Sequence, residues 1–368
     1  MASLLGGMMG VVLTLLARNA RDMVPGLQQW AQATVLIFVS AVLFALREWV
    51  PAALVVILSN TLLVGGLLLY LKGSGLYFQV PFKWTGWLLW YGLCLAGVGY
   101  FSHIEPSLRW RTVFILPATG AIMGAHAWLF FRQPGSSLGQ RFILLALSAM
   151  TLVIALRWVH ALVWMTDQDN LQTVQGLQLV FISLHTLLLL LLTVGFVLLA
   201  SERMREVFQF QAAHDALTGA FNRRVVMERM TQELARSQRY QGAFSVLILD
   251  IDHFKHINDS HGHQVGDEVL KRFVGHIAAM LRPNDTLGRL GGEEFMVLLP
   301  ETGPAAAQTT AQRIVSSLAE APAWPVCTVS IGVTSWLAQD RTVDEIVARA
   351  DAALYTAKRN GRNRVECA

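Results

Sequence analysis

Two regimes of hydrophobic patterning divide the chain near residue 200. Before that point apolar residues come in long runs, at 50–71, 84–101, 110–131, 142–165 and 174–200. Each is close to the ~20 residues that a helix needs to cross a bilayer. Residues 31–46 form a shorter run of the same kind. These six predict an all-α polytopic membrane domain over residues 1–200, with 3–17 as a candidate seventh span. That first run would rise only about 22 Å as a helix, short of the ~30 Å hydrocarbon core. A cleaved leader is the rival reading, but leaders carry basic residues ahead of the apolar stretch, whereas Arg18 and Arg21 follow this one.

Past residue 200 the runs shorten and become periodic. Residues 201–214 are polar and helix-favouring, with Met204, Val207 or Phe208, and Gln211 at roughly heptad spacing. They predict a linker helix leaving the membrane, either pairing with its twin or serving as a plain amphipathic connector. Residues 215–368 then read as one α/β domain. The branched apolar run 244–251 is a buried strand, and 264–281 repeats apolar residues at helical spacing. Residues 286–290 and 295–299 flank a glycine pair as a hairpin. Residues 304–318 predict a helix with proline near its start, 327–333 a strand and 342–358 a final helix.

Composition agrees with a membrane half: 54% of the residues are hydrophobic and the mean hydropathy is +0.46. The net charge of +4 is unevenly placed. Residues 1–200 carry ten Lys/Arg and five Asp/Glu, while residues 201–368 carry nineteen and twenty. The basic balance therefore belongs to membrane topology, and no nucleic-acid partner is expected. With a cytoplasmic C-terminus, the inner segments hold Arg18, Arg21, Lys72, Lys83, Arg132, Arg141, Arg203 and Arg205, and the outer loops only Arg47, Arg109 and Arg111. Trp30, Trp49, Trp84, Trp110 and Trp164 fall near span ends, where indoles favour the headgroup layer. Cys94, Cys327 and Cys367 form no spaced pair, so neither a disulfide framework nor a zinc site is indicated.

The chemistry concentrates at Arg289-x-Gly291-Gly292-Glu293-Glu294-Phe295. Glycines supply positive-φ positions for a tight turn and leave the backbone bare for a ligand, and the two glutamates add hard oxygen donors of the kind magnesium prefers. A second carboxylate group, Asp250-Ile251-Asp252, ends the 244–251 strand, and the segment after it, read as a loop, runs from His253 through Asn258 and His263 to Gly266-Asp267. Alone, Asp-x-Asp is a common solvated turn; with the glycine–glutamate turn it suggests convergence on cations. His253, His256, His261 and His263 do not outline a four-ligand zinc site. Arg157 and His160 lie within a span, where ionisable groups are costly and often functional, although both could snorkel to an interface.

These motifs resemble the GGDEF family of diguanylate cyclases. The resemblance covers about residues 215–365. It includes the opening motif Asp215-Ala-Leu217-Thr218-Gly219-Ala220-Phe-Asn222-Arg223-Arg224, the stretch from Asp250 to Asp267 and the signature itself. Ser330-Ile331-Gly332-Val333 and the closing run from Ala350 through Lys358 to Asn363 complete it. Ala220 stands where the family usually has leucine, a packing difference. The resemblance implies a palm-like central mixed or antiparallel sheet flanked by helices, like that of nucleotidyl cyclases. It also implies condensation of two GTP into cyclic di-GMP by a homodimer, each domain holding one GTP.

By motif position, Asp250, the Ile251 carbonyl and Glu293 would hold Mg²⁺, two ions per site, with Mn²⁺ an alternative. Glu293 and Glu294 are the catalytic candidates, Glu294 as metal ligand or proton acceptor. Asn258 and Asp267 would read guanine, Asp267 accepting from the N1–H and the N2 amino group. Lys255, His263, Gly291, Gly292, Lys358 and Arg362 complete the substrate-binding set. Arg282-x-x-Asp285 stands at the family's product-inhibition position, with Arg313 as a second basic contributor, and a guanidinium fork suits the O6/N7 edge of bound cyclic di-GMP. The expectation is a multi-pass enzyme of the bacterial inner membrane, in contact with lipid, its catalytic domain cytoplasmic. A non-catalytic cyclic di-GMP receptor would be expected to lack signature or metal residues, and none is missing. A transporter would be expected to show paired broken spans or an inverted repeat, and neither is evident.

Overall fold

Each apolar run of the first half forms a helix: α1 Ala2–Asn19, α2 Leu27–Ala45, α3 Ala52–Tyr77, α4 Trp84–His103, α5 Leu108–Arg132, α6 Leu138–Val163 and α7 Gln175–Ala213. The computed structural model describes residues 2–46, 49, 51–133, 135, 137–166, 175–320 and 327–368. The chain divides into two units, Met1–Val207 and Phe208–Ala368. Among the described residues, five helices are long and apolar enough to cross a membrane: α2, α3 from Leu54, α5, α6 and α7 from Gly176. Among the expected spans, α4 falls short because Trp, Tyr and Gly dilute its aliphatic residues.

Polar side chains hold the helices of the N-terminal unit together. Trp30 Nε1 on α2 donates to Ser74 Oγ on α3 at 3.1 Å, and that hydroxyl lies 2.7 Å from His126 Nε2 on α5. Thr34 Oγ1 and Tyr70 OH form a second α2–α3 bond at 2.7 Å. Phe196 of α7 stacks on both Trp30 and Tyr70, with ring centroids 4.5 and 4.9 Å away. In a bilayer such hydrogen bonds and close packing would hold the helices together, because lipid offers no hydrophobic drive between them. Gly26, at φ 87°, sits so near Gly73 that a Cβ would overlap the Gly73 carbonyl.

The C-terminal unit is built on a six-stranded mixed sheet in the order β1-β3-β4-β2-β5-β6. Its strands are β1 Phe221–Asn222, β2 Phe244–Ile251, β3 Thr286–Gly291, β4 Glu294–Pro300, β5 Val329–Ser335 and β6 Val365–Cys367. The central pairs β3/β4, β4/β2 and β2/β5 are antiparallel, and the edge pairs β1/β3 and β5/β6 are parallel. All eight residues of β2 are buried because both faces are covered. Leu247, Leu249 and Ile251 join the core under α9 Phe254–His261, α10 His263–Ala278 and α11 Pro304–Glu320. Val246 and Ile248 join the core under α8 Arg223–Tyr240 and α12 Val343–Arg359.

Helix α12 starts at a capping box, Thr342 and Glu345 satisfying each other's backbone N–H groups. It lies so close on β5 that a Cβ at Gly332 would overlap the Ala350 carbonyl. The segment after β2, expected to be a loop, is instead the eight-residue helix α9, entered through His253 at φ 55° and closed by Gly262 at φ 85°. Its pattern is too short for periodicity to distinguish a helix from a loop.

Candidate functional site

Asp250, next to last in β2, faces Glu294 on β4 and Ser330 on β5 in register. Strand alternation sends its side chain to the face of Val246 and Ile248, the face that α12 covers. There Lys358, near the end of α12, brings Nζ within 2.7 Å of Asp250 Oδ2. Burial raises the Asp250 carboxyl above the ordinary carboxylate range despite Lys358, and nearby Glu293 and Asp252 push the same way. Burial, then the charge of Asp250, raises Glu294 likewise. Glu294, Asp351 and Lys358, with Arg223 at the start of α8, line a groove of about 380 Å³.

The hairpin between β3 and β4 closes through Gly292 and Glu293, since Gly291 pairs with Glu294. Both glycines take positive φ, 158° at Gly291 and 54° at Gly292, next to a register shift after Arg289. A Cβ on either glycine would meet nothing within 4 Å, so the turn is open to an approaching ligand. The Ile251 N–H donates to the Glu293 carbonyl at 3.3 Å, docking the turn on the end of β2.

Arg289 fixes this turn, a role that its place in the motif did not disclose. Its Nε and Nη2 donate to the Gly292 carbonyl at 2.9 and 2.7 Å, and Nη1 lies 2.9 Å from Asp215 Oδ1. Asp215 also accepts from the Thr218 N–H and hydroxyl, so the opening motif and the signature share one network. Asp252 likewise proves structural. Buried, it accepts from Thr328 Oγ1 and Ser330 Oγ at 2.7 Å each and from the Asn363 N–H at 3.0 Å. The Asp-x-Asp pair thus separates into a carboxylate of the site and a pin for β5 and the C-terminal turn.

Asn258 lies on α9 and Asp267 on α10, the helix that follows it. Gly266 packs so tightly against Asn258 that an added Cβ would overlap Oδ1, and the exposed Asp267 follows directly. Lys255 is exposed in the first turn of α9, and His263 is exposed at the start of α10. Arg362 lies beyond the end of α12 in a left-handed turn at φ 60°, its N–H on the Ala357 carbonyl. Arg282 and Asp285 form a turn in which the Asp285 carboxylate accepts the Arg282 backbone N–H at 2.8 Å. The Arg282 side chain is exposed and makes no ion pair among the described residues. Arg313 on α11 donates to the Met280 carbonyl at 2.9 Å, placing it beside this turn.

The C-terminal unit is therefore an α/β domain with a carboxylate-and-lysine site at an open glycine hairpin. Residues 212–364 match the family described as "Diguanylate cyclase, GGDEF domain", and through this domain the chain belongs to the GGDEF family. Among curated relatives, diguanylate cyclase DgcP of Pseudomonas aeruginosa is 43% identical over 163 residues, covering 43% of this chain and 24% of that protein. Diguanylate cyclase DgcM of Escherichia coli is 42% identical over 170 residues, covering 45% and 40%. The chain thus spans less than half the length of these relatives. Among solved structures, the GGDEF domain of DgcB from Caulobacter crescentus, in complex with c-di-GMP, is 32% identical. It is matched over 43% of this chain and 96% of that one, with a TM-score of 0.42.

Proposed function

We propose that the chain is a membrane-bound diguanylate cyclase that condenses two GTP into cyclic di-GMP and two diphosphates, acting as a homodimer. One observation carries the reading: Asp250, Glu294 and Lys358 converge beside a hairpin turn that is open to ligand. Each domain of the pair presents one GTP. Each ribose 3′-hydroxyl attacks the α-phosphorus of the other GTP, the new P–O bond forming as the bond to diphosphate breaks and the hydroxyl proton leaves. Positioning and charge compensation are the main demands of such a transfer, so no nucleophilic side chain is required.

The donor set suits magnesium. Asp250, the Ile251 carbonyl and Glu293 offer hard oxygens at one turn. Among the described residues no three His, Cys, Asp or Glu side chains form a cage, and magnesium is commonly bound by one or two carboxylates with substrate phosphates and water. Bound Mg²⁺, two per site with Mn²⁺ able to substitute, would offset the charge of the triphosphate and the leaving diphosphate. Glu294 supplies a further carboxylate across the strand. Lys358, Arg362, Lys255 and His263 attend the phosphates, and the bare Gly291–Gly292 backbone leaves them room. Asn258 and Asp267 select guanine.

Product would bind at Arg282 and Asp285, with Arg313 alongside, and lower turnover. The N-terminal helices, six or seven of them spanning, would lie in the bacterial inner membrane with the catalytic domain cytoplasmic, as the basic residues favour. Residues 201–214 would govern how two catalytic domains meet. The test is incubation of full-length protein with GTP and Mg²⁺ and identification of the product by mass. Absence of cyclic di-GMP, or unchanged yield from a Glu293→Ala/Glu294→Ala variant, overturns the reading.

A further inference from the structure

A cavity of about 500 Å³ opens within the N-terminal unit, its wall drawn from α1, α2, α3, α5, α6 and α7. The wall is chiefly apolar, and several of its hydroxyls are already satisfied: Thr112, Thr119 and Thr193 each donate to a carbonyl of their own helix. Two polar groups in the same wall are not. Ser59 Oγ on α3 and Arg157 Nε on α6 are buried without a hydrogen-bond partner. Arg157 also makes no ion pair with a carboxylate among the described residues.

A guanidinium held among apolar helices with no carboxylate partner among the described residues is costly, and so is an orphaned hydroxyl. Both costs fall if the cavity receives an oxyanion. We infer that it binds an amphiphile with an oxyanion head, carboxylate or phosphate ester, the head at Arg157 and Ser59 and an apolar body along the wall. At about 30 Å³ per water-sized group the space takes roughly fifteen non-hydrogen atoms, enough for a medium-length acyl chain. Arg157 stands six residues before the end of α6, about 9 Å along the axis, so the head would enter from one membrane face. Helix α7 contributes His185 and Thr193 to the wall and continues to Ala213, which makes it the element that occupancy would bias.

The readout is binding, so it is independent of cyclase activity. Full-length protein in phosphatidylcholine nanodiscs is titrated with decanoate and with decan-1-ol by isothermal calorimetry. Saturable decanoate binding is expected, with the alcohol at least about tenfold weaker because it lacks a charge-assisted bond. Arg157→Gln should weaken decanoate by about tenfold or more, and Arg157→Lys should restore most of it. Native mass spectrometry from phosphatidylglycerol nanodiscs separates the sources. Retained lipid that decanoate displaces identifies a lipid headgroup, and decanoate binding without retained lipid identifies a free acid. Equal decanoate and decanol titrations, equal binding by Arg157→Gln, or no saturable binding and no retained anionic lipid each overturn the inference. Should Arg157→Gln fail to fold, the comparison of acid and alcohol on the unaltered protein decides.

Discussion

Lys358 Nζ stands 2.7 Å from Asp250 Oδ2, so a cation proposed for the phosphates is paired with a carboxylate proposed for the metal. The pair is partly buried, with side-chain exposures of 32% and 10%. On the proposed roles, lysine and metal would compete for one carboxylate, and arriving GTP would draw the lysine away. Lys358→Ala leaves Asp250 without its countercharge beside Glu293 and Glu294. The nucleotide-free variant should bind Mn²⁺ several-fold more tightly, while kcat/KM for GTP falls by about 10²-fold with the loss of a phosphate donor. Electron paramagnetic resonance titration reads the first effect and steady-state kinetics the second. Weaker Mn²⁺ binding by the variant would refute the competition.

Arg282 enters its turn through its backbone, and the side chain is not needed to hold it. Arg282→Ala should therefore keep the fold and basal turnover while activity becomes resistant to added cyclic di-GMP. Asp285→Ala should do more damage, because it also removes the carboxylate that accepts the Arg282 N–H. Inhibition curves with increasing product check both, and an unchanged half-inhibitory concentration for Arg282→Ala would remove the residue from the proposed site.

How much was legible in the chain depended on the kind of signal. The buried strand 244–251 is β2 to the residue, because a run of branched apolar side chains bounded by polar ends has one simple reading. Helix α8 went unread, since Arg, Glu and Gln outnumber its buried Val226, Met230 and Leu234. The two-residue β1 and three-residue β6 are too short to leave a pattern; they exist because the edges of β3 and β5 offer them pairing. At the site, Asp250, Glu293 and Glu294 were legible as hard donors near glycines. The division between Asp250 and Asp252 was not, because it depends on Thr328, Ser330 and Asn363 arriving from distant parts of the chain. The same holds for Arg289, whose acceptors are a turn carbonyl and Asp215, 74 residues away.

Gly266 tests the base-reading end of the site without touching a polar group. An added methyl there would overlap Asn258 Oδ1, so Gly266→Ala must displace the Asn258 side chain or shift α10 away from α9. The expected outcome is a KM for GTP raised about tenfold, with product inhibition unaltered because Arg282 lies beyond the far end of α10. Asp267→Ala should instead erase the preference for GTP over ATP, which a polar-complementary site can set at about 10⁴-fold. Competition assays with both nucleotides distinguish the two. Unchanged KM in Gly266→Ala would mean that Asn258 does not contact the base.

Asp340 and Arg349 give the domain a pH-dependent clamp. Arg349 binds both carboxylate oxygens of the buried Asp340, through Nη1 to Oδ1 at 2.5 Å and Nη2 to Oδ2 at 2.8 Å, and also donates to the Ser335 carbonyl at 3.0 Å. It thereby fastens α12, which carries Lys358, to the end of β5. Burial pushes the Asp340 carboxyl upward, but Arg349 and the Leu337 N–H outweigh it, so the group lies below the ordinary carboxylate range. A depressed folded value means that the stabilisation is complete above the unfolded pKa of about 3.9 and is lost as pH falls through the folded value. Asp340→Asn should therefore cost about 2 kcal/mol at neutral pH by breaking charge-assisted bonds. Amide hydrogen exchange in the full chain reads this as about thirtyfold less protection along α12 at pH 7 if those amides exchange through opening of the helix. The gap between variant and wild type should narrow as pH drops below about 4. A gap of the same size at pH 3 and pH 7 would show that the clamp works through packing, with no contribution from the carboxylate charge.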